Sequence, residues 1–321
     1  MSNKIWKIAG VFVIPVLLFI IFWILAPGFG LHSLYVIVSQ SVIPVIMGLG
    51  MAFGMAAGIF DLSTGSRVIV CAAFGGFLSQ YFGLAGLIAG SLIAGLLVGA
   101  VMGLCHNLFR IPSLVLSLGF VMLLEVLTYT VMGSHSFIQI SGDIAFLGKA
   151  PYNYMVCLVM MIIFYMIYYR TQFCYHVRVV GNNELLAKNM GIKPGRINFG
   201  CYLVGGIFLG VVGVLQISYS NSVTGAINMS SLSMVFQPMM GVMIGMELLA
   251  LIDNLALNIL IGELCISIIF TGLIALGLPS TMQDVILGLF MIIVMAVSAN
   301  REKAEHIFRK YRKGLEGSSV S

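Results

Sequence analysis

Long apolar runs dominate this chain, and no water-facing fold could bury them all. Stretches near 6–26, 34–58, 66–82, 84–104, 113–132, 153–169, 199–218, 235–251, 255–275 and 280–298 each approach membrane-crossing length. A spanning helix needs about 20 largely apolar residues. Only 8% of the 321 residues are charged and 60% are hydrophobic, against about 25% charged in a soluble globular chain. The expected fold is therefore all-α: a polytopic integral membrane bundle of about ten transmembrane helices, forming a single domain over residues 1–321. Two boundaries rest on short breaks, one at 81–84 and one at Asp253-Asn254. The first run exceeds the apolar region of a secretory signal and has no small-x-small site before Pro27, so it is expected to remain as a span.

Charge placement supplies an independent check on the span count. With a cytoplasmic N-terminus, ten spans put Lys4, Lys7, Arg67, Arg110, Arg170, Arg178, Lys188, Lys193, Arg196 and the basic residues from Arg301 to Lys313 on the inside, leaving Lys149 alone outside. That asymmetry follows the positive-inside rule, so both termini are expected in the cytoplasm. The soluble parts reduce to a cytoplasmic loop at 170–198 and a basic tail at 299–321, with lipid as the main surroundings. In this setting a net charge of +5 anchors the chain at the membrane and does not point to nucleic acid.

Several kinds of chemistry find no support in the residues. The six cysteines (71, 105, 157, 174, 201, 265) are scattered without metal-ligand spacing and read as small buried hydrophobes. The five histidines are equally dispersed, so neither a metal site nor a nucleophile–base pair is expected. There is no G-x-x-x-x-G-K-[ST] phosphate loop, so no cofactor is expected here and any ATP would be bound by a partner subunit.

Two polar stretches stand out. In 181–192, Asn182 or Asn183 can cap a helix, Glu184 suits its positive end, and Gly191 can end it in a left-handed turn before Pro194. The resulting helix has about two turns, with Leu186 and Met190 on one side and Ala187 beside them. A short capped helix that presents apolar residues to water either docks into a partner or lies on the membrane surface. The second stretch, 58–66, sets Asp61, Ser63, Thr64 and Ser66 between two apolar runs. It is either a cytoplasmic turn or a broken helix beside a transport pathway, since non-helical backbone at membrane depth needs protein or a water-filled cavity around it.

Carboxylates within or beside spans form the third group: Glu125, Glu247, Glu263 and, near the outer interface, Asp284. An ionisable group in lipid is costly, so each is a pathway candidate or a structural hydrogen-bonding group. The uncharged loop 219–234 reads as a solvated outer connection.

With these stretches in view, Gly58–Ser66 resembles the Gly-Ile-Asp-Leu-Ser-x-Gly-Ser signature of the ribose-type permeases of bacterial ABC importers, with Phe60 inserted before the aspartate. Residues 181–192 resemble the same family's Gly-x-Asn-x-x-x-Ala-x-x-x-Gly-Ile loop. Together with the order of the motifs, the resemblance covers roughly 34–300. It implies a permease in the bacterial inner membrane that works with a second copy or a paralogue, two cytoplasmic ATP-binding subunits and an extracytoplasmic solute-binding protein. Sugars are the commonest substrates of the family, with nucleoside and autoinducer-2 branches. On this reading Gly181, Asn183, Glu184, Leu185, Leu186, Ala187, Met190 and Gly191 make up the coupling helix and its flanks, and Asp61, Ser63 and Ser66 lie near the pathway. The chain departs from the pattern at Glu125-Val126, where relatives carry Arg-Gly, and at 237–245, where a glycine-rich stretch is reduced. The alternative class is an ion- or proton-coupled transporter working through Glu125, Glu247 or Glu263.

Overall fold

In a computed structural model, residues 2–132 and 137–279 are described continuously, with 282, 285, 286, 288–290, 292 and 296 beyond them; for 2–11, 131 and 250 only the backbone is described. The expected span at 280–298, Asp284 and the tail 299–321 lie largely or wholly outside the described residues. Among the described residues up to 279, ten α-helices run in chain order: α1 (Ser2–Leu25), α2 (Leu31–Ala56), α3 (Thr64–Phe109), α4 (Ser113–Met132), α5 (Tyr152–Arg170), α6 (Gln172–Asn182), α7 (Glu184–Asn189), α8 (Pro194–Ser220), α9 (Ser233–Glu247) and α10 (Leu255–Ala275). Six of these, α2, α3, α4, α5, α8 and α10, are long and apolar enough to cross a membrane.

The weak boundaries expected from the sequence have clear structural causes. The 46-residue α3 is a hairpin, because Gly83 takes φ 58°, ψ −138° and reverses the chain between two arms. Only glycine reaches that backbone region without steric cost. At the other break, the Asn254 side chain accepts from Leu257 N at 3.3 Å and caps α10. The run at 235–251 is helical from 235 to 250. Its helix, α9, has 15 residues and runs without a break into 3-10 turns at Ser230–Leu232 and Leu248–Ala250, so the helical stretch is about 34 Å long at 1.5 Å per α and 2.0 Å per 3-10 residue, against the roughly 30 Å hydrocarbon layer.

Both arms of α3 pack against α8, and small residues set how closely they approach. A Cβ on Gly95 would collide with the Gly206 carbonyl, and one on Gly206 with the Gly95 carbonyl. Lipid supplies no hydrophobic drive between helices, so close backbone packing of this kind is what holds them together. On the other side of α8, Phe208 joins Phe53 of α2 and Phe164 of α5 in an aromatic cluster with ring centroids 4.9–6.3 Å apart. The outer shell is apolar and exposed, as at Leu123 and Val126 of α4, which suits contact with acyl chains.

The loop expected to be a solvated connection is exposed at Tyr219, Asn221, Thr224, Ile227 and Asn228, while Val223 and Ser231 are buried. Strands β1 (Phe137–Gln139) and β2 (Ser222–Thr224) pair antiparallel, Ile138 opposite Val223, and beyond them Ser231 is 2% exposed. Its carbonyl lies where a Cβ on Gly65 would sit. Ser231, in the 3-10 turn that opens α9, is therefore inside the bundle.

Candidate functional site

The stretch 57–63 interrupts the passage from α2 to α3. Gly58, at φ +79°, ends α2, and Ile59 N donates back to Gly54 O at 2.9 Å. Asp61 then organises the start of α3. Its Oδ1 accepts from Ser63 N at 2.9 Å and from Ser63 Oγ at 2.5 Å, while its Oδ2 pairs with Arg67 Nη1 at 3.0 Å. Ser66 Oγ donates to Ser63 O at 2.8 Å. Thr64 is buried and faces Met51 across the α2–α3 contact.

Arg67, expected among the inside-facing charges, is enclosed by protein. It is 2% exposed, and its Nη2 donates to Tyr202 O on α8 at 3.2 Å. A buried guanidinium is tolerable only with partners, and Asp61 and Tyr202 provide them. The Asp61-x5-Arg67 spacing carried a signal: a cation within the first turn of a buried helix, with a carboxylate just before it. Beside the pair is a cavity of about 30 Å³ bordered by Thr64, Asp61, Arg67, Gly50 and Gly205, about the room one water needs.

The second stretch lies next to the first. Asn183 Oδ1 accepts from Leu186 N at 3.0 Å and caps α7, and Gly191 turns the chain at φ +80°. Leu185, Leu186 and Met190 are each more than half exposed, whereas Ala187 is fully buried. The helix thus points one small side chain into the protein and three large apolar ones outward. Glu184 and Lys188 form an exposed i,i+4 pair at 2.8 Å. A Cβ on Gly181 would meet the carbonyl of Ala56 and crowd Ala57, so the end of α6 lies directly on the last turn of α2. The start of the second motif is consequently in contact with the end of α2, two residues before the first motif begins.

Of the carboxylates expected in spans, Glu125 adjoins the first motif through Ser231, whose carbonyl abuts Gly65. Glu125 of α4, 3% exposed, accepts from Met229 N at 2.8 Å, Ser231 N at 3.0 Å and Ser231 Oγ at 2.5 Å. It caps the turn that opens α9. Glu247 ends α9 and is partly buried. Glu263 of α10 is fully buried, and neither carboxyl oxygen has a hydrogen-bond partner among the described residues. Among those residues no cluster of three or more His, Cys, Asp or Glu could hold a metal.

The family model described as the permease component of the branched-chain amino acid transport system matches residues 33–295. The chain belongs to that family. It is 29% identical over 301 residues, 90% of this chain and 85% of the relative, to the autoinducer 2 import system permease protein LsrC of Klebsiella pneumoniae. It is 25% identical to the probable ABC transporter permease protein y4mJ of Sinorhizobium fredii, over 84% of this chain and 80% of that one. A Yersinia pestis LsrC is 23% identical over 83% and 77%. No solved structure matches. This permease is accordingly a multi-pass inner-membrane protein and a divergent member of the ABC importer permeases, the resemblance that 58–66 and 181–192 carry.

Proposed function

We propose that this chain forms the translocation pathway of a bacterial ATP-driven importer for a small polar solute, of sugar type, and that α7 receives the motion of a cytoplasmic ATP-binding subunit. On this reading the bundle crosses the membrane ten times with both termini inside. It pairs with a second permease, a copy or a paralogue, and an extracytoplasmic binding protein delivers the solute. ATP is bound and hydrolysed by the partner subunit. The observation that carries the reading is the contact between Gly181 and Ala56. A push on the exposed Leu185, Leu186 and Met190 face of α7 travels through α6 to the end of α2. From there it reaches the Asp61–Arg67 junction that starts α3, where helices α2, α3 and α8 meet.

Leu186→Glu places a charge in that face without touching the buried side at Ala187. Uptake by the reconstituted transporter should fall to background, and the ATP-binding subunit should no longer co-purify, while membrane insertion stays normal. Unchanged uptake in this variant would remove α7 as the docking element.

A further inference from the structure

We propose that an uncharged polar cavity between α2, α8, α9 and α10 is a solute-contact site of the pathway, built for a neutral molecule rich in hydroxyls and not for an anion, a cation or a zwitterion. The inference rests on the importer reading above and adds the residues that touch the solute.

The cavity has a volume of about 430 Å³, within the roughly 300–1,000 Å³ typical of small-molecule sites. Its polar wall is made by Gln40, Gln216, Gln237, Ser39, Ser233 and Tyr219, and no Asp, Glu, Lys, Arg or His lines it among the described residues. The contrast with the cleft beside α7 is plain, since that one is lined by His106, Arg110, Glu184 and Lys188.

Two prolines border this wall. Pro44 lies inside α2 and Pro238 inside α9. A proline has no N–H, so the carbonyl four residues earlier loses its helical donor. Those carbonyls belong to Gln40 and Met234, and both residues line the cavity. Gln237 Nε2 makes a long contact of 3.4 Å to Ser267 Oγ, whereas the side-chain amides of Gln40 and Gln216 have no hydrogen-bond partner among the described residues. Amides and freed carbonyls are not stable against hydrocarbon, so this wall must face water, solute or protein.

Each glutamine both donates and accepts, which matches a hydroxyl in either role. An ionised solute group would find no opposite charge on this wall. The nearby start of α9 could have attracted an anion, but Glu125 already occupies that turn.

The test uses the full transporter in membrane vesicles. Gln216→Cys and Gln237→Cys are treated with a water-soluble, membrane-impermeant methanethiosulfonate, with the unsubstituted chain as background and Leu123→Cys on the exposed face of α4 as the lipid-side control. The cavity positions should react at least about tenfold faster than the control, as water-filled sites do relative to lipid-covered ones. Equal rates would overturn the site.

Uptake of radiolabelled D-ribose, D-xylose and D-galactose is then compared with that of valine and D-ribonate. The neutral sugars should supply the transported member. Gln237→Leu should lower its uptake about tenfold, the loss expected when a solute hydrogen bond worth about 1.4 kcal/mol disappears, and Gln237→Asn should restore part of it. Transport of valine or ribonate, or full uptake by Gln237→Leu, would overturn the proposal. Failure of the importer reading looks different: uptake would persist when the ATP-binding subunit is omitted, whatever the labelling rates.

Discussion

Glu125 and Glu263 occupy almost interchangeable settings in the sequence, each a single carboxylate among Leu, Ile and Val. In the folded chain they are opposites. Glu125 is buried yet receives three hydrogen bonds from Met229 and Ser231, and it ties α4 to the turn that opens α9. Glu263 is buried with no partner for either oxygen among the described residues, in a niche against Gly241 and Gly48. The first acid organises structure and the second is only accommodated. In a membrane, burial of a carboxylate therefore says little about its role until its donors are known.

Three substitutions would break or sharpen this contrast, and a fourth extends it to the paired acid. The largest effects are expected at Arg67 and Glu125. Arg67→Met leaves the partly buried Asp61 without its cation and should cost about 3 kcal/mol, the lower end of the penalty for breaking a buried pair. Denaturant titration of the detergent-solubilised permease measures it, and the double variant Arg67→Met with Asp61→Leu should recover much of the loss.

Next comes Glu125→Ala, which strands two amides and a hydroxyl inside the bundle. A loss of about 2–4 kcal/mol follows from the cost of unpaired buried donors. Glu125→Gln keeps one acceptor oxygen and should lose about half as much. An equal loss at Glu125 and Glu263 would erase the distinction between them.

Gly241→Ala should be milder. Its methyl would overlap the Glu263 side chain, and overpacking of that kind costs about 1–3 kcal/mol. Trimming Glu263 to Ala in the same chain should relieve it, giving a strongly non-additive double variant.

The smallest effect belongs to Glu263→Met. Replacing an unsatisfied buried acid with an apolar side chain of similar length should change stability by less than about 1 kcal/mol or raise it. ATP-driven uptake should be unaffected. Uptake abolished in Glu263→Met, together with transport by the chain alone under a proton gradient, would favour the ion-coupled alternative.

Much of the architecture could be read before any coordinates. Apolar runs of near-spanning length became α2, α4, α5, α8 and α10, because intrahelical bonding is the main way to satisfy backbone groups in lipid. The break at 81–84, a cap at Asn182 or Asn183 and the boundary at Asp253-Asn254 were legible from local residue types, and the structure places them at Gly83, Asn183 and Asn254. Hydropathy gave no warning that Ser231, in the loop before α9, would be buried. That depends on how the loop packs, and its contacts with Glu125 span more than a hundred residues.

The sequence by itself determined the membrane class, the helical segments and the presence of two motifs, since each follows from composition and local spacing. Only the tertiary structure decided which charges are paired, that Ala187 points inward while Leu186 points out, and that Ala56 meets Gly181. It also decided that three glutamines share one uncharged cavity. Those outcomes depend on which helices lie side by side and in what rotation, and the energy differences that choose among rotations come from contacts between residues distant in the chain.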